Sequence, residues 1–134
     1  MKSSKQEIAA IVNGKAAWLS EHQKDGEQYA GIVLGKNGEP DEHVFLLPGE
    51  FAGNWKDAIA WAKSIGGELP TRQEQPLLFA NCKESFKPTY YWSSEQHAYD
   101  SDCAWIQDFD NGNQISDHKS YSRSARAVRR LEIS

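Results

Sequence analysis

The order of segments predicts an α+β domain. Apolar, strand-like runs come first, two capped helices follow, and short strands separated by Asn-Gly and other polar turns close the chain. At 134 residues the chain is long enough to bury one core without disulfides or metals. The expectation is a single domain over 1–134, with an N-terminal extension over 1–28 and a core over 29–131.

In the extension, Ile8, Ile11 and Val12 precede Asn13-Gly14, and Ala16, Ala17 and Trp18 follow it. Asn-Gly between apolar stretches is a hairpin signal, because both central residues of a type I′ turn need positive φ. A small opening hairpin is expected, then a polar loop over Glu21 to Gln28. Tyr29 to Leu34 and His43 to Leu47 read as two strands paired around the turn residues Asn37, Gly38 and Pro40.

The first helix is expected to start after Asn54, with Asp57 in its first turn and Gly66-Gly67 as its stop. Trp55, Ala58, Ile59, Ala62 and Ile65 fall at helical spacing and form one apolar face. A second helix carries a capping box, Thr71 with Glu74, and apolar residues Leu77, Leu78 and Phe79. Pro76 lies inside that segment and calls for a kink or a late start. The remaining strands are Tyr90 to Ser94, Cys103 to Phe109, Gln114 to Asp117 and Ala125 to Leu131, the middle two joined by an Asn111-Gly112 hairpin turn.

Composition narrows the function. With 15 basic against 19 acidic residues the net charge is −4, which gives no general attraction for nucleic acid or an anionic membrane. No apolar run approaches the ~18 residues that span a bilayer, and Met1 to Glu7 lead into no signal-peptide core. The two cysteines, Cys82 and Cys103, are read as reduced, buried thiols in apolar settings of a cytoplasmic protein.

Trp55 with Ala58 and Ala62, the run from Gly66 to Glu74, Tyr91-Trp92-Ser93-Ser94, Ala104-Trp105, Asn111-Gly112 and Ala127-Val128-Arg129-Arg130 carry a family likeness. In this order and spacing, over about Tyr29 to Leu131, the chain resembles the C-terminal domain family of the collagen-like adhesin Lcl. That resemblance implies the C-type-lectin-like fold, in the variant shared with the formylglycine-generating enzyme and the variable proteins of diversity-generating retroelements. It implies a small twisted antiparallel sheet with two flanking helices, and small stand-alone members are similar to phage and prophage reading frames. In the retroelement relatives the late strands and loops carry the ligand contacts, which maps here onto Glu95 to Gln114.

No metal or cofactor is expected. The Glu-Pro-Asn, Gln-Pro-Asp and Trp-Asn-Asp triplets of sugar-binding C-type lectins do not occur, and Asp108, Asp110, Asn111 and Asn113 lack the spaced oxygens of an EF-hand loop. No catalytic residue is expected either. His22, His43, His97 and His118 are scattered, and Ser94, His97 and Asp100 are three common residue types in a polar loop. Arg123, Arg126, Arg129 and Arg130 read as an inner clamp, with Asp100, Asp102, Asp108, Asp110 and Asp117 as partners. Trp92 and Trp105 read as core, with Ile106 and Phe109.

The function expected is non-enzymatic binding of a protein or surface glycan through Glu95, His97, Tyr99, Asp108, Asn111, Asn113 and Gln114. Tyr supplies contact area on such a surface while small polar residues adapt. The resemblance places such a protein in the host cytoplasm or the virion; charge and composition point to neither nucleic-acid nor membrane partners, and a homo-oligomer is left open. An intracellular phage factor that antagonises a host protein is the alternative, and a formylglycine-type oxidative enzyme the minor one.

Overall fold

In the computed structural model, which describes residues 14–133, helices and strands form a mixed α+β arrangement of three helices and two sheets. Residues 14–22 are helical (α1). The first arm of the expected hairpin lies outside the described residues, but its second arm is this helix. The Asn-Gly signal loses here to Ala16, Ala17 and Leu19, good helix formers, and to the contacts that Trp18 makes with the sheet beneath it.

Strands β1 (Gln28–Val33) and β2 (Glu42–Leu46) pair antiparallel as expected. Asn37 and Gly38 in the connection both take positive φ, 55° and 84°, the signature of a type I′ turn. A short strand not foreseen from sequence, β3 (Phe51–Gly53), leads into α2 (Trp55–Ser64). The cap of α2 forms as expected, with Asn54 Oδ1 accepting the Asp57 N–H at 2.9 Å. At the other end, Gly66 N donates to Lys63 O and Gly67 N to Ala62 O, a Schellman stop around Gly66 at φ 85°. Gly67 serves a different purpose: a Cβ there would stand 2.4 Å from Leu47 and 2.7 Å from the Val128 carbonyl.

Helix α3 (Glu74–Cys82) starts late, so that Pro76 falls in its first turn, where the missing N–H has no helical partner to lose. The Thr71–Glu74 capping box is reciprocal: Thr71 N donates to Glu74 Oε1 at 2.8 Å and Glu74 N to Thr71 Oγ1 at 3.1 Å. A 3₁₀ turn, Lys83–Ser85, follows, and then β4 (Tyr90–Gln96), β5 (Cys103–Asp108) and β6 (Gln114–His118).

The closing strand expected over Ala125 to Leu131 is two strands in two sheets. β7 (Arg123–Ala125) pairs β3 and meets β4, whereas β8 (Val128–Glu132) pairs β2. The result is a three-stranded sheet ordered β1-β2-β8 and a five-stranded sheet ordered β3-β7-β4-β5-β6.

Side-chain alternation sends neighbouring β4 residues to opposite faces of the larger sheet. Trp92 packs with Ala58 and Ala62 of α2, Ala104, Ile106 and Ala125; Tyr91 packs with Leu78 and Cys82 of α3, Phe109, Leu46 and Val128. The sheet therefore lies between two helices. Two indoles find backbone partners across that packing: Trp92 Nε1 donates to Gly53 O at 2.9 Å and Trp55 Nε1 to Ser93 O at 2.8 Å. No helix among the described residues is long and apolar enough to cross a membrane.

The arginine clamp forms, with partners from farther along the chain than expected. Arg129 holds Glu27, Arg130 holds Glu74 and Glu68, and Arg123 holds Asp117, while Arg126 donates to the Ser85 and Leu47 carbonyls. Of the five aspartates expected as partners, only Asp117 pairs with an arginine among the described residues. The others are committed to local turns or face solvent.

Candidate functional site

The α2–α3 connection crosses one face of β4–β6 and is tied to it by polar bonds. Pairing of Gln107 with both Tyr91 and Gln114 puts these residues on one face of the sheet, and Trp105 shares that face two residues away. Buried Gln107 donates from Nε2 to the Gln75 carbonyl at 2.9 Å, and buried Gln75 donates from Nε2 to the Tyr91 carbonyl at 3.1 Å. Gln114 continues the chain of bonds outward, giving one amide hydrogen to Gln107 Oε1 at 3.0 Å and the other to the Arg72 carbonyl at 2.8 Å.

Arg72 is fixed by this network. Its Nε donates to Gln114 Oε1 at 3.0 Å, and its backbone N–H donates to Glu95 Oε2 at 2.6 Å. Its guanidinium lies 3.6 Å from the Trp105 ring centroid, and His97 stacks on the same indole at 5.1 Å and 25°. Trp105 is accordingly half-buried beneath polar groups and not a core residue, because its face of the sheet is only partly covered by the crossing connection. A shallow depression of about 490 Å³ opens beside Arg72, lined by Lys36, Thr71, Gln73, Glu95 and Gln114.

The β4–β5 loop is built on its own backbone. His97 N donates to Cys103 O, Cys103 N to Asp100 O, and Lys119 N to Asp102 O. Side chains add to the frame: Tyr99 N donates to His97 Nδ1, and Asp102 N to Asp100 Oδ1. The Cys103 thiol donates to Asp100 Oδ2 at 3.3 Å, a bond that lowers the carboxyl's pKa. Tyr99, on top of this loop, is 96% exposed.

The β5–β6 turn is likewise self-supporting. Asp108 Oδ1 accepts from Asp110 N and Asn111 Oδ1 from Asn113 N, while Gly112 N closes the turn on Asp108 O at 2.7 Å. Only Gly112 takes positive φ (84°), so this turn is not the type I′ that its Asn-Gly predicts. Asp108 and Asn111 thus serve the turn's own geometry, and Asn113 remains an exposed side chain.

Among the expected contacts, then, Glu95 and Gln114 are brought together on Arg72, and His97 and Tyr99 share one loop. Asp108, Asn111 and Asn113 form the neighbouring turn. Sequence reasoning missed Arg72 as a site residue and misassigned Trp105. The available signal was an arginine inside a capping box, a position where the side chain has no structural duty of its own.

Chemistry at this end is sparse. Among the described residues no group of three or more His, Cys, Asp or Glu is placed to hold a metal ion. His97 Nδ1 is taken by the Tyr99 N–H, and Ser94 and His97 share no hydrogen bond among the described residues. Both cysteines are free. Cys82 is fully buried and its thiol is pushed up to about 11, chiefly by desolvation. Cys103 is half-buried in an acidic setting and not the apolar one expected: desolvation, the bond to Asp100 and the charges of Asp102 and Asp117 all raise its pKa. No protein-family model matches the chain, and no curated protein matches it.

Proposed function

We propose that the chain is a non-enzymatic binding module that meets a protein or surface ligand with the β4–β5 loop, the β5–β6 turn and the Arg72 shelf between α2 and α3. The observation that carries this reading is Tyr99. A tyrosine 96% exposed on a loop held by its own backbone bonds is a contact residue paid for in advance, since little ordering entropy remains to be lost on binding.

The family likeness to Lcl C-terminal domains, and through it to the C-type-lectin-like fold, is part of the same proposal. Its support is the pairing of an early strand and the last strand around β2, two helices on opposite faces of the larger sheet, and an irregular loop end. The phage or prophage setting rests on the resemblance alone. Commitment of Arg123, Arg129 and Arg130 to carboxylates supports a partner other than nucleic acid, because those guanidiniums are not free for phosphate. The deep burial and raised pKa of the Cys82 thiol support a non-enzymatic role.

The test is partner capture with purified variants. Tyr99→Ala and Asn111→Ala should abolish capture of whatever the wild-type protein retains from host extract, with the melting temperature of Tyr99→Ala unchanged. Cys82→Ala and Cys103→Ala should capture normally. Indifference of capture to both loop changes would place the contact surface elsewhere.

A further inference from the structure

We infer that the Arg72 shelf is a carboxylate-binding site and that its ligand is an acidic side chain or chain terminus of a protein partner. The sequence has five arginines. Three hold carboxylates and Arg126 takes two backbone carbonyls. Arg72 has neither kind of partner for its Nη atoms among the described residues, yet its Nε is bonded to Gln114 and its guanidinium lies against Trp105.

Contact of the guanidinium with the Trp105 ring at 3.6 Å and the bond from Nε to Gln114 Oε1 together hold it in position. The remaining edge, Nη1 with Nη2, is a planar two-donor fork, which matches the two oxygens of a carboxylate. The depression of about 490 Å³ in front of it is lined by a second cation, the exposed Lys36, which has no ion-pair partner among the described residues. Glu95 also lines the depression. Its Oε2 is occupied by the Arg72 backbone N–H, and no Glu95 oxygen lies within ion-pair distance of the guanidinium, so the fork is not neutralised internally. Two cations against one carboxylate leave the shelf positive on a protein whose net charge is −4.

The geometry favours a protein carboxylate over an acidic sugar. A pyranose seeks an open aromatic face, and the Trp105 ring is already stacked by Arg72 and His97. An extended acidic side chain needs only the fork and the cation beside it.

The probe is N-acetyl-aspartate N-methylamide, with the asparagine isostere, glucuronate and glucose as controls. Binding is followed by the side-chain NMR signals of Arg72 Nε–H and Gln114 Nε–H₂, with backbone amides monitoring the fold. The aspartate probe should give saturable shifts, with at least about tenfold weaker binding of the asparagine isostere, as expected for a charge-assisted bond. Arg72→Gln should remove the response at Gln114, and Lys36→Gln should weaken it several-fold while the Arg72 signal still moves. Equal binding of the isostere, an unchanged response in Arg72→Gln, tighter binding of glucuronate, or no saturable shift would each overturn the assignment. The inference deepens the display reading and relies on it for biological meaning, but the two fail separately. Partner capture insensitive to Tyr99→Ala and Asn111→Ala sinks the display reading while these titrations stand.

Discussion

Arg130 on the last strand grips Glu74 at the start of α3 with two nitrogens, Nε at 2.6 Å from Oε2 and Nη2 at 2.8 Å from Oε1. Glu74 is only 3% exposed, and its Oε1 also accepts the Thr71 N–H that closes the helix cap. A terminal strand, a helix start and the connection carrying Arg72 therefore share one carboxylate. Removing Arg130 strands the buried Glu74 carboxylate, and removing Glu74 leaves the half-buried Arg130 with the exposed Glu68 as its carboxylate partner. Arg130→Met or Glu74→Leu should each cost about 3–5 kcal/mol, whereas the double replacement should cost much less. Urea titration of the three variants checks this.

The second clamp makes the fold acid-sensitive. The Glu27 carboxyl is held below the usual carboxylate range, chiefly by its hydrogen bonds from Arg129. A depressed folded pKa adds stability that is complete above the unfolded value of about 4.3 and is lost as pH falls through the folded value. Unfolding followed between pH 7 and pH 3 should show this loss below about pH 4, and Glu27→Gln should flatten that part of the profile while lowering stability at neutral pH.

Helix α1 is seated on the small sheet through an aromatic box. Trp18 stacks on His22 at 4.6 Å and lies 4.2 Å from His43, whose Nδ1 meets Tyr29 Oη at 2.8 Å. His43 is shifted down from its ordinary value of 6.5, first by desolvation and then by His22. Its neutral form is the one that fits, so the contribution is full above about pH 6.5 and declines as pH falls toward the folded value. Hydrogen exchange over residues 14–22, corrected for intrinsic rates, should accelerate between pH 7.5 and pH 5.5. His43→Phe should abolish that pH dependence.

The thiols should differ in kind. A disulfide reagent at pH 8 should modify Cys103 slowly, since desolvation and then its carboxylate neighbours disfavour the thiolate, and should reach Cys82 only when the protein unfolds. Thiol counting in native buffer and in denaturant gives the two stoichiometries.

Local punctuation made much of the fold legible. Asn54 with Gly66-Gly67, Thr71 with Glu74, and the Asn37-Gly38 turn act over a few residues and form as their chemistry requires, and Asn111-Gly112 marks the place of its turn though not the type. What escaped depends on distant partners. The residues from Ala125 to Leu131 read as one strand because nothing local marks Arg126-Ala127 as a change of sheet. The Asn13-Gly14 signal says nothing of the histidines and phenylalanine that Trp18 will meet. At the site, Glu95 and Gln114 were legible as polar residues of the loop end. Arg72 was not, because it meets them across 23 and 42 residues of chain.

The change of sheet at Arg126-Ala127 couples the two halves of the molecule. Arg126 Nη2 is bonded to Leu47 O, and Leu47 N to Ala127 O at 2.9 Å, so the link between β7 and β8 is two residues long and pinned to the end of β2. It has no slack with which one sheet can melt while the other persists. β3 loses its partner strand when β7 leaves, and β2 loses its outer neighbour when β8 leaves. The two sheets should therefore lose order in one cooperative event, and a calorimetric scan of the protein should read a single endotherm.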